Sequence, residues 1–332
     1  MFVKKFLIPF AILATVLLLI AFWWVSFTKP VGSSEEEQRF VITRGSSAVK
    51  IGNNLYEEGL VRSSLAFRFY VQLTGRSKKI QAGAYDLSPN LSLYELVDEL
   101  TSGPRQVWVT IPEGLRREEI ADRFVVGLEK KGEEATEFRN RFMVLTSGEE
   151  GYLFPDTYLF ERTATADLVV STVRNTFETR ISTLQEEIES SDLSLTEIVI
   201  LASIIERETL TGDERPIVAG ILKNRLDIGM GLQADATVQY AAASQRCGVG
   251  AVECDWWRPP TGTELSINSS YNTYRFAGLP PGPIASPGIA SLSAAASPST
   301  TDYLYYIHDA SGQIHYAETF EEHNSNVARY LR

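Results

Sequence analysis

The chain has 332 residues, of which 44% are hydrophobic, and its formal net charge is −11. That length is enough for one or two packed domains. The acidic balance argues against nucleic acid or anionic lipid as the main partner, because both require a basic surface, and it leaves neutral or cationic ligands, including glycans.

The first predicted element is a membrane anchor. Residues 6–27, FLIPFAILATVLLLIAFWWVSF, carry no charge and as a helix would span roughly 33 Å. Two lysines precede this run, which predicts that residues 1–5 stay in the cytoplasm, and Trp23 and Trp24 would lie at the outer interface. The alternative is a cleaved signal peptide, but no small-x-small cleavage site follows. We therefore expect a single-pass protein of the cytoplasmic (inner) membrane whose remaining residues work outside the cytoplasm.

A polar linker at 28–39 leads to an internal repeat within residues 40–147. Each copy predicts a short strand, a glycine turn and an amphipathic helix, and a third strand–turn–helix lies between the copies. Such βα units resemble the glycan-binding LysM module, and an ordinary α/β packing domain is the alternative. Ile42, Gly45, Ile51 and Leu55 in the first copy match Ile111, Gly114, Ile120 and Phe124, 69 residues later.

Residues 148–332 predict a mixed α/β domain, so that the whole chain is α+β. An aromatic run at 149–160 precedes a long predicted helix at 165–189, and residues 232–300 are rich in loops. A hairpin around Ser311-Gly312 and a final helix are predicted to end the chain.

One helix of this second domain is predicted to be buried and to end on two acids. In SLTEIVILASIIERET (194–209), Ser194 and Glu197 form a capping box, and between 198 and 205 only Ser203 is polar. Glu206 follows this apolar run on the face of Ala202 and Ser203, so we expect burial to raise its pKa and make it a proton donor. The alternative is a solvated acid at a helix end.

The second acid of this helix, Glu208, stands one turn beyond Ile204 and Ile205, on almost the opposite face from Glu206. We expect it to point outward or to pair locally.

Four segments together resemble one enzyme family. EGYLFPDTYLF, LASIIERET, VAGILKNRLDIGMGLQADATVQY and YNTYRFAGLPPGPIASPGIASLSAAASP occur in this order and are similar to the MltG (YceG-like) endolytic peptidoglycan transglycosylases. The resemblance runs from about residue 40 to the end and implies that Glu206 is the catalytic residue. It further implies a lyase that cuts the β-1,4 bond between N-acetylmuramic acid and N-acetylglucosamine inside nascent glycan strands, leaves 1,6-anhydro ends and terminates strand elongation. Penicillin-binding proteins, the cell-wall synthases, are the implied partners.

The implied reaction needs only one acid, because the C6 hydroxyl of the sugar replaces the water that a hydrolase would position. Glu206 would protonate the leaving oxygen and then take the proton of that hydroxyl. The open alternatives are a two-carboxylate muramidase, with Asp156 or Asp235 as the second acid, and a non-catalytic glycan-binding scaffold of the wall-synthesis machinery.

Four further residues are candidates for sugar binding. Gln233 and Asp235 could hydrogen-bond sugar hydroxyls or acetamides, or could stabilise their own loop. Asn272 and Tyr274 are predicted groove residues, with a place in the core as the alternative for Tyr274. The chain departs from the resembled family at Ala236, where proline is usual.

No segment of the sequence indicates a metal or organic cofactor. The three histidines lack zinc-ligand spacing, and Walker, dinucleotide and nucleophile-elbow motifs do not occur. Cys247 and Cys254 are either two reduced thiols or a local disulfide.

Overall fold

The structure is a computed structural model that describes residues 3–247 and 254–331, with the backbone alone for 3–14. Its contacts separate two compact units: one contains the residues up to Trp108 together with Leu159–Arg162, and the other contains Val109–Tyr158 and Thr163 onward. Strands β3 (Gln106–Thr110) and β4 (Thr157–Glu161) each contain residues of both units.

The chain begins with helix α1 (Val3–Thr28). The predicted cytoplasmic tail and the first part of the predicted transmembrane run lie partly outside the described residues. Within the part that is described, no helix combines the length and apolar character needed to cross a membrane. The predicted linker is fastened to the first unit: the Gly32 amide donates to the Pro89 carbonyl (3.0 Å), and the Arg62 guanidinium donates to the Pro30 carbonyl (2.7 Å).

The first unit is a small α/β unit in which serine caps start the helices. Ser47, Ser63 and Ser92 each accept a backbone N–H of the first helical turn, and Ser92 completes a capping box with Glu95. The apolar faces of these helices form one core with the sheet. The elements are β1 (Gln38–Ile42), α2 (Ala48–Glu57), α3 (Ser64–Leu73), β2 (Gly83–Leu87) and α4 (Leu93–Ser102).

The four-stranded sheet has the order β1-β2-β3-β4. β1 and β2 are antiparallel from Gln38 opposite Leu87 to Ile42 opposite Gly83, and β2 and β3 pair antiparallel at Ala84 and Gln106.

The second unit is mainly helical and surrounds one buried helix, α9 (Leu195–Glu208), against which α10, α11 and α12 pack. A two-stranded antiparallel hairpin and a last helix follow. The other elements are α5 (Arg117–Gly127), α6 (Gly132–Leu145), α7 (Ala166–Ile181), α8 (Gln185–Ser190), α10 (Arg215–Asp227), α11 (Asp235–Arg246), α12 (Ile289–Ala296), β5 (Tyr305–His308), β6 (Ile314–Ala317) and α13 (Phe320–Tyr330).

The predicted pattern of elements is confirmed in its main features and wrong in one. Both repeat copies are a strand, a turn at a glycine of positive φ and a helix, and the hairpin turn lies at Ser311-Gly312. The single helix predicted over 165–189 is interrupted by a 3₁₀ turn at Ser182–Leu184. The apolar spacing continues through this turn, because Leu184 is buried in the same core as Phe177, so the helix tightens locally while the buried face is kept.

The contact boundary differs in place from the predicted domain limits. Residues 109–147 pack with the second unit rather than with the first: α5 contacts α6, α6 contacts α7, and the Gly114 amide donates to the Ser286 carbonyl (2.8 Å). The LysM-like assignment of residues 40–147 stays a prediction.

The two cysteines are joined in a disulfide, with their Cα atoms 6.1 Å apart. This resolves the alternative that the sequence left open. Residues 248–253, between the two cysteines, lie outside the described part of the chain.

Candidate active site

Glu206 lies at the end of a fully buried run of residues in helix α9. Ser194 and Glu197 form the predicted capping box, and Ile198 to Ile205 are all buried. The one polar residue among them, Ser203, donates to the Ile200 carbonyl (2.7 Å) and accepts the Ile284 amide (3.0 Å). The face formed by Ala202 and Ser203 is therefore covered by the proline-rich loop at 278–288.

Both carboxylate oxygens of Glu206 accept hydrogen bonds. Oε1 accepts from Arg215 Nη2 (3.0 Å), while Oε2 accepts the Gly288 amide (2.9 Å) and the Ser291 hydroxyl (2.7 Å). The Glu206 side chain is only 5% exposed. The predicted burial of this acid is confirmed, and its orientation is fixed by donors from α10 and from the start of α12.

A second carboxylate, Glu113, lies beside Glu206. The two carboxylates interact with each other, and Oε2 of Glu113 lies 3.5 Å from Nη2 of the same Arg215. Burial, and then the charge of Glu206, raise the pKa of Glu113, although its side chain is 46% exposed. The Glu113 carboxylate also lies so close to Gly288 that any side chain at position 288 would collide with it.

Glu113 was not predicted from the sequence, whose candidates for a second acid were Asp156 and Asp235. In the structure Asp156 pairs with Arg180 (2.8 Å), and Asp235 accepts the hydroxyl of Tyr274 (2.7 Å). One signal was available: Glu113 directly precedes the glycine of the second repeat copy, and such turns carry functional side chains at the ends of strands.

The neighbour of Glu206 on the helix, Arg207, forms a wall of the site. Its guanidinium stacks over the Trp257 ring at 3.9 Å, and its Nη1 donates to the Gly114 carbonyl (3.4 Å). The Trp257 indole N–H donates to Glu119 (2.9 Å), which holds the ring in place.

Glu208 is not turned outward. It accepts the Tyr306 hydroxyl (2.9 Å) from the C-terminal hairpin, 98 residues away, so the expectation of an outward or local orientation is wrong. Burial raises its pKa; the hydrogen bonds from Tyr306 and from the Ala236 amide oppose this rise, and the charge of Asp235 adds to it. Two of the predicted sugar-binding residues, Asp235 and Tyr274, are therefore gathered near Glu208 and bonded to each other.

The other two predicted sugar-binding residues have different surroundings. Gln233 has a positive φ of 50°, and its amide donates to the Thr273 carbonyl (3.2 Å), which fixes the loop before α11. Asn272 is fully buried: its side-chain amide donates to the Leu265 and Ile267 carbonyls and accepts the Tyr274 amide. Because these bonds occupy its polar atoms, this geometry favours a structural role for Asn272 over the predicted sugar contact.

Comparisons with known proteins agree on one family. The YceG-like family matches residues 40–329. A Bacillus subtilis protein named endolytic murein transglycosylase is 31% identical over 314 residues, covering 87% of this chain and 84% of that protein. A Streptococcus pneumoniae protein of the same name is 28% identical over 324 residues, and the match covers 87% of this chain but only 58% of that relative.

Among solved structures, a yceG-like protein of Listeria monocytogenes superimposes with a TM-score of 0.55 at 30% identity, covering 88% of this chain and 99% of that one.

Proposed function

Since the chain belongs to the YceG-like family, we propose that it is an endolytic peptidoglycan transglycosylase, a lyase, in which Glu206 performs the proton transfers. The similarity to proteins named endolytic murein transglycosylase supports the activity. The observation that carries the site is the pair of neighbouring carboxylates, buried Glu206 and half-exposed Glu113, which lie 3.0 Å and 3.5 Å from Nη2 of the same Arg215. We further propose that the bond cut is the one between N-acetylmuramic acid and N-acetylglucosamine.

The reaction proceeds in one balanced exchange. Glu206 donates a proton to the glycosidic oxygen as the bond from that oxygen to C1 breaks, and the C6 hydroxyl of the same sugar attacks C1. Glu206 then takes the hydroxyl proton, which leaves a 1,6-anhydro ring and returns the acid to its starting form. No water is consumed, so the enzyme needs one acid that changes role.

Glu113 completes this exchange as a positioning residue. Burial and the charge of Glu206 raise its pKa, so the two carboxylates titrate as a pair and loss of a proton from one affects the other. Oε2 of Glu206 is held by α12 and Oε1 by Arg215, which also lies 3.5 Å from the half-exposed Glu113. The sugar therefore approaches Glu206 from the side of Glu113.

A second activity has one observation in its favour. Two carboxylates in one site are the usual equipment of a glycoside hydrolase, so Glu113 could instead activate a water molecule and make the enzyme a muramidase. The two reactions leave different ends on the glycan, and this difference decides between them.

Location and partners are also part of the proposal. The uncharged run at 6–27 supports a membrane anchor, and the Cys247–Cys254 disulfide supports an oxidising compartment outside the cytoplasm. Peptidoglycan strands made by penicillin-binding proteins at that membrane would be the substrate. We propose a second contact for the glycan at Gln233, in the loop before α11, together with Asp235 at the start of α11 and Tyr274, which is bonded to it.

The test is digestion of purified glycan strands by the full chain, followed by mass spectrometry of the ends. We expect ends lighter by one water than reducing ends, and loss of cleavage on the order of 10³-fold in Glu206→Gln. Glu197→Gln is the matched control, because it changes the capping glutamate at the other end of the same helix and leaves the site intact. Reducing ends would favour the muramidase, and undiminished cleavage by Glu206→Gln would remove that residue from the chemistry.

A further inference from the structure

Helix α3 in the first unit carries large apolar side chains outside the core as well as inside it. Ala66, Phe67 and Val71 are buried in the core of the unit. On the outer face, Leu65, Phe69 and Leu73 follow one another at four-residue spacing and are 58%, 54% and 73% exposed. Residues at this spacing line up along a helix, so they form a continuous apolar stripe that the core does not explain.

The stripe lies against the end of helix α1. The Trp24 ring contacts the Phe69 ring, with their centroids 5.8 Å apart, and the Trp24 indole N–H donates to the Tyr94 hydroxyl (2.8 Å). Before Trp24, the described part of α1 is itself apolar and exposed, including Leu18 at 71% and Phe22 at 73%. Two uncovered apolar surfaces thus meet at Trp24.

The connection between α1 and the first unit is held in place. The bonds of Gly32 to Pro89 and of Arg62 to Pro30 fasten the segment between α1 and β1 to the unit. As a result, the position at which α1 leaves a bilayer would also determine the depth of α3 relative to that bilayer. If Trp24 lies in the interfacial aromatic belt, Phe69 must lie within about 6 Å of the same depth.

The basic residues that follow the stripe in the sequence also suit contact with a membrane surface. Although the chain is acidic, the turn after Leu73 is basic, and Lys78 and Lys79 are exposed there. An apolar stripe with lysines beside it is the composition of helices that lie in the headgroup region of a membrane.

We propose that the outer face of α3, formed by Leu65, Phe69 and Leu73, docks on the outer surface of the membrane that α1 enters. The occupant is the lipid itself, and the inference rests on the proposed membrane anchor. The first unit would then lie flat on the bilayer instead of moving freely on a linker, so the enzyme would meet glycan strands close to the point where they are made.

The experiment places a fluorescent reporter of depth on the stripe. The full chain carrying Leu73→Cys is labelled with the environment-sensitive dye NBD, which is selective because both native cysteines are joined in the disulfide. The protein is reconstituted into vesicles of phosphatidylcholine and phosphatidylglycerol that contain a nitroxide-labelled lipid. Tyr56→Cys on α2, with 57% exposure, is the matched control, and Leu18→Cys reports the anchor.

We expect blue-shifted, lipid-quenched fluorescence at position 73, none at position 56 and strong quenching at position 18. Adding Phe69→Asn should reduce the quenching at 73 and leave that at 18 unchanged. If 18 is quenched while 73 behaves like 56, α3 does not touch lipid and the inference is overturned. Fluorescence at 73 that is shielded from water but not quenched by lipid would assign the stripe to a protein partner and would also overturn it. Absence of quenching at 18 would refute the anchor itself.

Discussion

The two strand–turn–helix copies are alike in local structure and different in what surrounds them. Gly45 and Gly114 adopt nearly the same positive φ, 79° and 75°, and each turn leads into a helix whose apolar face is buried. In the first copy, a side chain at Gly45 would meet nothing within 4 Å. In the second, a side chain at Gly114 would meet Arg207 at 3.3 Å and Glu206 at 3.7 Å.

The residue before each glycine shows the same contrast. The first copy has Arg44, which is exposed, and the second has Glu113, which shares Arg215 with Glu206. Both copies form the same turn, but only the second places an acid beside Glu206, so the turn conformation alone does not create the site. Its function comes from the tertiary contact of the second copy with α9, and changes at matched positions in the two copies separate the local contribution from the tertiary one.

The largest difference should be in how the contribution of each helix start to the free energy of unfolding depends on pH. Helix α2 is capped by its own Ser47, which accepts the Lys50 amide (3.3 Å), whereas the Arg117 amide of α5 donates to the distant Glu150 (3.0 Å). Burial raises the pKa of Glu150 to about 8. A raised carboxyl pKa stabilises the folded state below the ordinary value of 4.5, and this contribution is lost as the pH rises towards 8.

We therefore expect the free energy of unfolding to fall by on the order of 1 kcal/mol per pH unit between pH 5 and 8, and Glu150→Gln to remove most of this slope. Urea denaturation at several pH values measures it. Ser47→Ala should cost about 1 kcal/mol at every pH, because a hydroxyl cap does not titrate. An unchanged slope in Glu150→Gln would show that another group titrates.

The next difference concerns the residue before each turn glycine, Arg44 in the first copy and Glu113 in the second. Glu113→Gln should lower kcat by roughly 10- to 100-fold, because the pair loses the partner that holds its proton. Activity of the unchanged enzyme should decrease as the pH rises through the raised pKa of Glu113, and in the variant this decrease should begin at lower pH, because no second carboxylate opposes loss of the proton.

Arg44→Gln is the matched control for Glu113→Gln and should change neither kcat nor the pH profile. A variant Glu113→Gln with reduced kcat but an unshifted profile would give Glu113 a structural role only.

These positions also show how far the sequence alone reaches. Features set by neighbouring residues were predictable: the Ser194–Glu197 capping box, the positive-φ glycines and the burial of Ile198 to Ile205 each depend on a few adjacent positions. The burial of Glu206 was predictable from the same local pattern.

Contacts between distant segments were not predictable. Glu113 meets Glu206 across 93 residues, and Tyr306 meets Glu208 across 98. No local pattern encodes such pairs, because they depend on how α9 packs with the second glycine turn and with the hairpin. For the same reason Asp156 and Asp235, chosen for their residue type, proved to bond elsewhere.

The smallest difference should come from the glycines themselves. Gly45→Ala and Gly114→Ala both place a Cβ on a residue of positive φ, so each should lower the free energy of unfolding by about 1–2 kcal/mol. Only Gly114→Ala should also reduce cleavage, by about tenfold, because the added methyl group pushes on Arg207 and shifts the helix end that carries Glu206. Urea denaturation gives the stability, and glycan digestion under conditions where both variants are fully folded gives the activity. Equal loss of activity in the two variants would mean that general destabilisation, and not contact with α9, explains the effect at position 114.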